Sequence, residues 1–362
     1  MKVMSIFGTR PEIIRLSRIF PLLDKHFKHI MVNTSQNFTN ELNELFIKEL
    51  GLRKPDYNLG ITTKNYGDEI ADIIKKIDVL LLKEKPDMVL ILGDTNSGLS
   101  AIPAAHHGIR IAHLEAGMRS YDYRMPEEKN RIVIDHLSSI LLPYTQYSKE
   151  NLLRENISPR KIFVVGNPIV DVLNFNSKKI DASKILQKLK LELNGYFLVT
   201  AHRSENVDDI HQLKQIFSGL EKLHKKFHKR IIFPIHPRTL NKIKNFKIPK
   251  CIETFKPLGF FDFTKLEKNA FCLITDSGTI PEESLYFKKP CVSIRESTER
   301  PEYIETGSTI MSGLESDDMV ESVSLITSHA SDWEWDKSLG DGKTSSKVVN
   351  ILRGKSRKIL EI

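Results

Sequence analysis

Cysteine is scarce, with only Cys251, Cys272 and Cys291 in 362 residues. Their spacing fits no metal motif, and so sparse and odd a set excludes a disulfide framework and points to reduced, buried thiols in a cytoplasmic protein. Long apolar runs are missing too: none approaches the roughly 20 residues that span a bilayer, so membrane insertion is not expected. The opening Met1–Gly8 is too short before its glycine for a signal peptide and reads as a strand. No Gly-x-Gly-x-x-Gly follows a strand with an acid about 20 residues on, and no P-loop lysine motif occurs. These absences exclude a dinucleotide dehydrogenase and a P-loop NTPase. No cofactor and no metal are expected, because nothing in the spacing of the acids requires an ion.

The composition present is that of a globular protein, 40% hydrophobic and 28% charged. Lys and Arg outnumber Asp and Glu by 54 to 46, a net charge of +8. The lysine pairs (Lys75-Lys76, Lys178-Lys179, Lys225-Lys226) are scattered as on solvated helix faces. With no zinc-finger or RNA-binding motif, nucleic acid is not the expected partner. A basic balance also suits a small anionic ligand.

A chain of this length exceeds one ordinary core, so two domains are expected. Short apolar runs alternate with longer amphipathic ones, the pattern of βαβ units and a parallel sheet. Strands are expected at 3–7, 29–33, 88–92, 110–114, 140–143 and 162–165, then at 196–200, 230–234, 271–275 and 291–294. Helices are expected at 11–25, 41–50, 66–84, 101–107, 127–137, 208–226, 281–287, 318–327 and 345–360. The polar stretch 174–184 after Gly166-Asn167-Pro168 reads as the linker. The fold class is α/β, with two doubly wound, Rossmann-like domains facing a cleft. They are placed at 1–168 and 169–343, and the helix over 344–362 crosses back to the first. Ligands of such sheets bind outside the carboxyl ends of the strands.

The polar residues that could carry chemistry fall at those ends. Arg10 follows the first strand in Gly8-Thr9-Arg10-Pro11-Glu12, and Gly278-Thr279-Ile280-Pro281-Glu282 echoes it in the second half. Both read as T-x-x-E capping boxes with proline in the first turn. A helix start with free N–H groups beside a cation suits a phosphate, although Arg10 could equally do no more than solvate its helix. In the second half Ser277, Gly278 and Thr279 allow close approach to a diphosphate. Glu282 reads as a cap and Glu283 as a partner for ribose hydroxyls. Asp94 and Glu115 end two apolar runs, and Glu127 and Glu128 open a helix with Asn130 and Arg131 behind. Acids from three segments suit proton transfer, because desolvation and like charge separate their proton affinities. Glu128 reads as a cap. His202 and His236 follow strands and could bond a phosphate, shuttle protons or serve structurally.

In this order the segments GTRPE (8–12), GDT (93–95), HLEAGMR (113–119), PEEKNR (126–131) and Gly166-Asn167 match a known pattern. So do AHRSEN (201–206), TDSGTIPEE (275–283) and TERPE (298–302). Together they resemble the non-hydrolysing UDP-N-acetylglucosamine 2-epimerase family, including relatives that act on UDP-2-acetamido-2,6-dideoxy-L-hexoses. The resemblance covers nearly the whole chain. It implies the two-domain glycosyltransferase-B architecture, a UDP-sugar substrate, a homodimer and a task in cell-envelope polysaccharide synthesis. It also implies that Asp94, Glu115 and Glu127 lie beside the sugar C2, with His202 joining the catalytic set. Arg10, Arg119, His236, Ser277, Gly278, Thr279, Glu283 and Arg300 would bind the nucleotide sugar. Some positions depart from the common pattern. Gly278-Thr279 replaces Gly-Gly, and Pro281 stands where Gln is usual. Asn37-Phe38 follows Gln36 where members regulated by UDP-N-acetylglucosamine carry His-Arg, so the resemblance does not carry that regulatory site over. These departures lie closer to relatives that act on other UDP-2-acetamido sugars, among them the branch that forms UDP-N-acetyl-L-fucosamine.

The implied reaction converts UDP-N-acetylglucosamine to UDP-N-acetylmannosamine. The C2 proton has no adjacent carbonyl, so it leaves together with UDP, giving a 2-acetamidoglucal to which UDP re-adds with protonation on the other face. Two rival readings share the architecture. A glycosyltransferase would give an acceptor-dependent product, and a nucleotide-sugar sensor would bind without turnover.

Overall fold

Strands of a parallel sheet covered on both faces must be apolar at every position, not at alternate ones. The computed structural model, which describes residues 1–35, 40–61, 65–235, 239–240, 248–328 and 332–354, shows this in two separate sheets. The first holds β1 (Lys2–Phe7), β2 (Lys28–Asn33), β3 (Tyr57–Asn58), β4 (Met88–Leu92), β5 (Arg110–Leu114) and β6 (Ile140–Leu142), in the order 3-2-1-4-5-6. The second holds β7 (Tyr196–Thr200), β8 (Arg230–Pro234), β9 (Ile252–Phe255), β10 (Cys272–Thr275), β11 (Cys291–Ser293) and β12 (Thr309–Met311). Its order, 12-11-10-7-8-9, is the same topology repeated. All pairings are parallel. Each sheet reverses its strand order beside its first strand, where doubly wound folds bind ligands.

The period-2 geometry of a strand divides the second core in two. Phe197, Val199, Ile231, Phe233 and Ile274 face one layer of helices, and Tyr196, Leu198, Ile232 and Leu273 the other. Helix Ile210–Phe227 supplies Leu213, Ile216, Phe217, Leu220 and Leu223 to the first layer at helical spacing. In the first unit, helix Tyr66–Glu84 covers the sheet with Ile73, Ile77, Leu80 and Leu81. Its start is fixed by Asn65 Oδ1, which accepts from the Asp68 N–H at 2.8 Å. Each such side chain contributes about 1.5–3 kcal/mol on burial.

Chain contacts divide the molecule into one unit of Met1–Phe175 with Asp336–Ile362 and a second of Asn176–Trp335. The expected linker at 174–184 is instead the end of helix Ile169–Ala182, followed by a short turn of helix at Ile185–Lys188. Its apolar positions are buried at Ile169, Val172, Leu173 and Ile180, and most of its polar residues form the outer face. The C-terminal helix Thr344–Gly354 belongs to the first unit, and its opening N–H groups at Thr344 and Ser345 are accepted by the Asp171 carboxylate at 3.2 and 2.9 Å.

Other expectations change locally. The helix expected at 11–25 is two, Arg10–Leu16 and Phe20–His26, because Pro21 cannot donate to the preceding turn and starts the second. The strand expected at 162–165 makes a single bridge, Ile162 to Leu141. Val164 there is exposed, and this segment closes no further strand. The three strands without a sequence signal, β3, β9 and β12, are edge strands only partly buried.

Candidate active site

In the first unit the expected residues gather at the carboxyl ends of neighbouring strands β1, β4 and β5. The capping box after β1 forms as expected. The Glu12 carboxylate accepts from Gly8 N at 3.0 Å, Thr9 N at 2.7 Å and Thr9 Oγ1 at 2.6 Å, and from Thr95 Oγ1 at 3.2 Å. Glu12 therefore also ties the β1 turn to the β4 turn. Burial pushes its carboxyl up to about 7, against those four donors. Arg10 opens this helix, half-buried, with its guanidinium 5.9 Å from the Phe46 ring, and burial lowers its proton affinity.

Asp94 follows Gly93 at the end of β4. Arg131 Nε reaches Asp94 Oδ2 at 3.0 Å and Arg131 Nη2 also bonds it, while Asn130 Nδ2 donates to the Asp94 carbonyl at 3.0 Å. Both partners sit on helix Pro126–Leu137, whose first turn carries Glu127. Glu127 is exposed and raises the proton affinity of the Tyr66 phenol after burial has done so. Glu115 ends β5 and is buried, with Arg15 Nε at 3.7 Å. Its φ is +73°, a left-handed value that a glutamate adopts only where its surroundings compel it. The three acids thus stand on three segments joined by direct bonds.

Two neighbours are held by partners within the first unit. Glu128 does not cap its own helix. It accepts from Ser120 N, Ser120 Oγ and Tyr121 N at 2.9–3.1 Å and pairs with Arg131, so it holds the preceding loop. Arg119, expected at the substrate, is enclosed. Its guanidinium bonds both Glu155 oxygens at 2.7 Å, Asp135 at 2.8 Å and the Met118 carbonyl at 2.7 Å.

The second unit has its own polar cluster, at the ends of β7 and β10. The buried Asp276 accepts from the backbone N–H of His202 at 2.7 Å and of Arg203 at 2.8 Å, and from Asn206 Nδ2 at 3.3 Å. Its other oxygen lies 3.1 Å from His202 Nδ1, so one carboxylate orients both the loop and the imidazole. Burial would raise the Asp276 carboxyl, but His202 and the two N–H donors overcome it and hold it down to about 2. Sequence reading overlooked this task of Asp276, although the rule that selected Asp94, an acid at the end of a buried strand, applies equally to it.

The loop 276–279 continues with Ser277, whose N–H donates to Thr275 Oγ1 at 2.9 Å, and whose Oγ lies 3.1 Å from Thr279 Oγ1. Gly278 packs closely: a Cβ there would stand under 3 Å from the side-chain ends of Glu299 and Arg300, which would have to shift. The second capping box does not form, since Thr279 has helical angles and makes no side-chain cap. Glu282 turns instead to Arg300 Nε at 2.6 Å, a buried cation that holds it more strongly than a helix end would. Arg300 also bonds Glu299, which pairs with Arg295 at 2.7 Å, so Arg300 is engaged internally. Glu283 is buried beside the fully buried Glu267, whose carboxyl is raised first by burial and then by Glu283. Glu267 carried no sequence signal. His236 and the Gln36-Asn37-Phe38 segment lie outside the described residues. Among the described residues no group of three or more His, Cys, Asp or Glu is arranged to hold a metal ion.

Comparison with known proteins adds to this geometry. The family profile described as UDP-N-acetylglucosamine 2-epimerase matches residues 22–353. The UDP-N-acetylglucosamine 2-epimerase of Methanococcus maripaludis is 40% identical, over 98% of this chain and 99% of its own. The UDP-2,3-diacetamido-2,3-dideoxy-D-glucuronate 2-epimerase of Pseudomonas aeruginosa is 34% identical, over 97% and 99%. The crystal structure of the Methanocaldococcus jannaschii UDP-GlcNAc 2-epimerase, in complex with UDP-GlcNAc and UDP, superposes with a TM-score of 0.93. It is 40% identical, over 98% of this chain and 100% of that one.

Proposed function

The chain belongs to the UDP-N-acetylglucosamine 2-epimerase family, an isomerase family of glycosyltransferase-B architecture, and from that premise we propose that it interconverts UDP-N-acetylglucosamine and UDP-N-acetylmannosamine. The observation that carries this reading is the set of three carboxyls, Asp94, Glu115 and Glu127: Asn130 and Arg131 tie the Glu127 helix to the Asp94 turn, and the Gly93 N–H, donating to the Leu114 carbonyl at 2.9 Å, ties that turn to the strand ending at Glu115.

Inverting C2 requires a proton to leave one face and return to the other, so more than one acid must serve. The C2 hydrogen gains acidity only if the C1–O bond to UDP breaks as it departs. The products of that step are a 2-acetamidoglucal and UDP, and re-addition with the opposite protonation completes the inversion. Atoms balance with no redox step. Arg10 and His202 would stabilise the charge growing on the diphosphate, a preorganised effect worth several kcal/mol. Asp276 keeps His202 oriented for this task. Ser277, Gly278, Thr279 and Glu283 are proposed to meet the nucleotide.

A proton NMR time course in D₂O tests the reading. Deuterium at C2 with a growing manno-configured UDP sugar is the expected result. No exchange, with UDP still bound, would turn the search to other UDP-2-acetamido sugars, such as the diacetamido substrate named for the Pseudomonas relative. An acceptor-dependent product would establish a glycosyltransferase instead.

A homodimer is proposed as well. Val79 and Leu82 lie three residues apart on helix Tyr66–Glu84 and are 60% and 55% exposed, and Ile102 is exposed on the adjoining helix Ala101–His106. Cytoplasmic location and a task in cell-envelope polysaccharide synthesis remain with the family resemblance. No helix among the described residues is long and apolar enough to cross a membrane.

A further inference from the structure

His113 sits within β5, fully buried, two residues before Glu115. Its Nε2 lies 2.9 Å from the Gly93 carbonyl oxygen, an acceptor on the turn that carries Asp94. Its Nδ1 lies 2.7 Å from Asp135 Oδ1, on the helix that carries Glu127 and Arg131. The second Asp135 oxygen accepts from the Gly117 N–H at 3.1 Å and pairs with Arg119 at 2.8 Å, and Arg119 is anchored in turn by Glu155. Burial raises the Asp135 carboxyl, but His113 and Arg119 together bring it below its ordinary value, which makes it a charged anchor. One imidazole therefore links the three segments on which the three acids stand.

The backbone it holds is strained at Glu115, whose φ is +73°, whereas Gly93 adopts its φ of +71° without cost because it has no side chain. A left-handed glutamate costs about 1–3 kcal/mol and persists only where packing and hydrogen bonds over-determine it. Arg131 and Asn130 fix Asp94 from the outside, whereas His113 fixes the same turn from within the sheet.

We propose that His113 is a positioning residue for the epimerisation. By joining the Gly93 carbonyl to Asp135 it sets the spacing of the Asp94, Glu115 and Glu127 carboxyls on which proton transfer at C2 depends. This rests on the function proposed above. It gives the buried histidine of the HLEAGMR segment a task distinct from that of the carboxylate two residues on.

The test uses the full chain with His113→Leu, which removes both contacts, and His113→Gln, whose amide can still donate to an oxygen. Misplacement of about 1 Å costs on the order of 100-fold in rate, so His113→Leu should lower kcat by about that factor while KM and the affinity for UDP stay within about threefold. His113→Gln should recover about tenfold of the loss. The proposal is overturned if a folded His113→Leu enzyme keeps kcat within about threefold of wild type, if kcat and UDP affinity fall together, or if Leu and Gln lose equally. Should the leucine variant fail to fold, Asp135→Asn replaces it under the same criteria. If the wild-type chain is inert toward UDP-N-acetylglucosamine, the proposed function has failed, and a crystal structure of His113→Leu, or of Asp135→Asn where the leucine variant does not fold, decides the positioning directly. A Gly93–Asp94 turn displaced by more than about 0.5 Å supports it, and an unmoved turn overturns it.

Discussion

Asp276 is a buried carboxylate that holds both a loop and an imidazole. Its carboxyl is held down to about 2, so its stabilising effect has a definite pH window. In the unfolded chain a carboxyl titrates near 4, about 2 units higher, which corresponds to about 3 kcal/mol. Above pH ~4 both states are charged and the full stabilisation is present. As pH falls from ~4 towards 2 the unfolded chain takes up the proton first and the stabilisation is lost. Denaturant unfolding of wild type and Asp276→Asn should therefore differ at pH 7 and converge towards pH 2. The three proposed catalytic acids behave otherwise. Asp94→Asn, Glu115→Gln and Glu127→Gln should each lower kcat by about 10²-fold or more, because each removes a proton donor or acceptor. UDP binding, measured by calorimetry, should survive in all three. Its loss throughout would assign these carboxyls to structure instead.

Elements show why a motif can serve two masters. Gly117 lies within HLEAGMR, yet its need for glycine comes from packing. Its φ is +80°, and a Cβ would stand 2.2 Å from the Ser148 carbonyl oxygen and 2.8 Å from Leu152 Cγ, both on helix Gln146–Arg154. Gly117→Ala is expected to cost more than about 3 kcal/mol, read as a lower denaturation midpoint. At the other end of the first unit, Asp171 accepts from the first N–H groups of the C-terminal helix, which packs on helix Phe20–His26. Asp171→Ala should destabilise by about 2 kcal/mol, since it leaves buried donors unsatisfied. Thermal unfolding that matches wild type would deny that helix its cap.

At the scale of the whole molecule, the exposed pair Val79 and Leu82 gives the homodimer a handle. Light scattering coupled to size exclusion should report a dimer for the wild type and a monomer for Val79→Lys with Leu82→Glu. A monomeric wild type would remove the proposal. The central strands of both sheets were legible in the sequence, because two-sided burial demands unbroken apolar runs and leaves acids and histidines at their carboxyl ends. Asp94, Glu115 and His202 follow directly from that rule. The edge strands β3, β9 and β12 were not legible, since an edge needs no such run. Nor was the helix over 169–182, whose outward face is polar enough to pass for a linker. What only the tertiary structure decided is which charged groups meet. Spacing let Glu282 cap its helix, and the family resemblance set Arg119 and Arg300 at a ligand. In the structure Glu282 and Arg300 pair with each other across 18 residues, and Arg119 pairs with Glu155 across 36. Local spacing reports which faces a strand or helix must bury, but the pairing of buried charges is settled by desolvation, which acts only once the elements have come together.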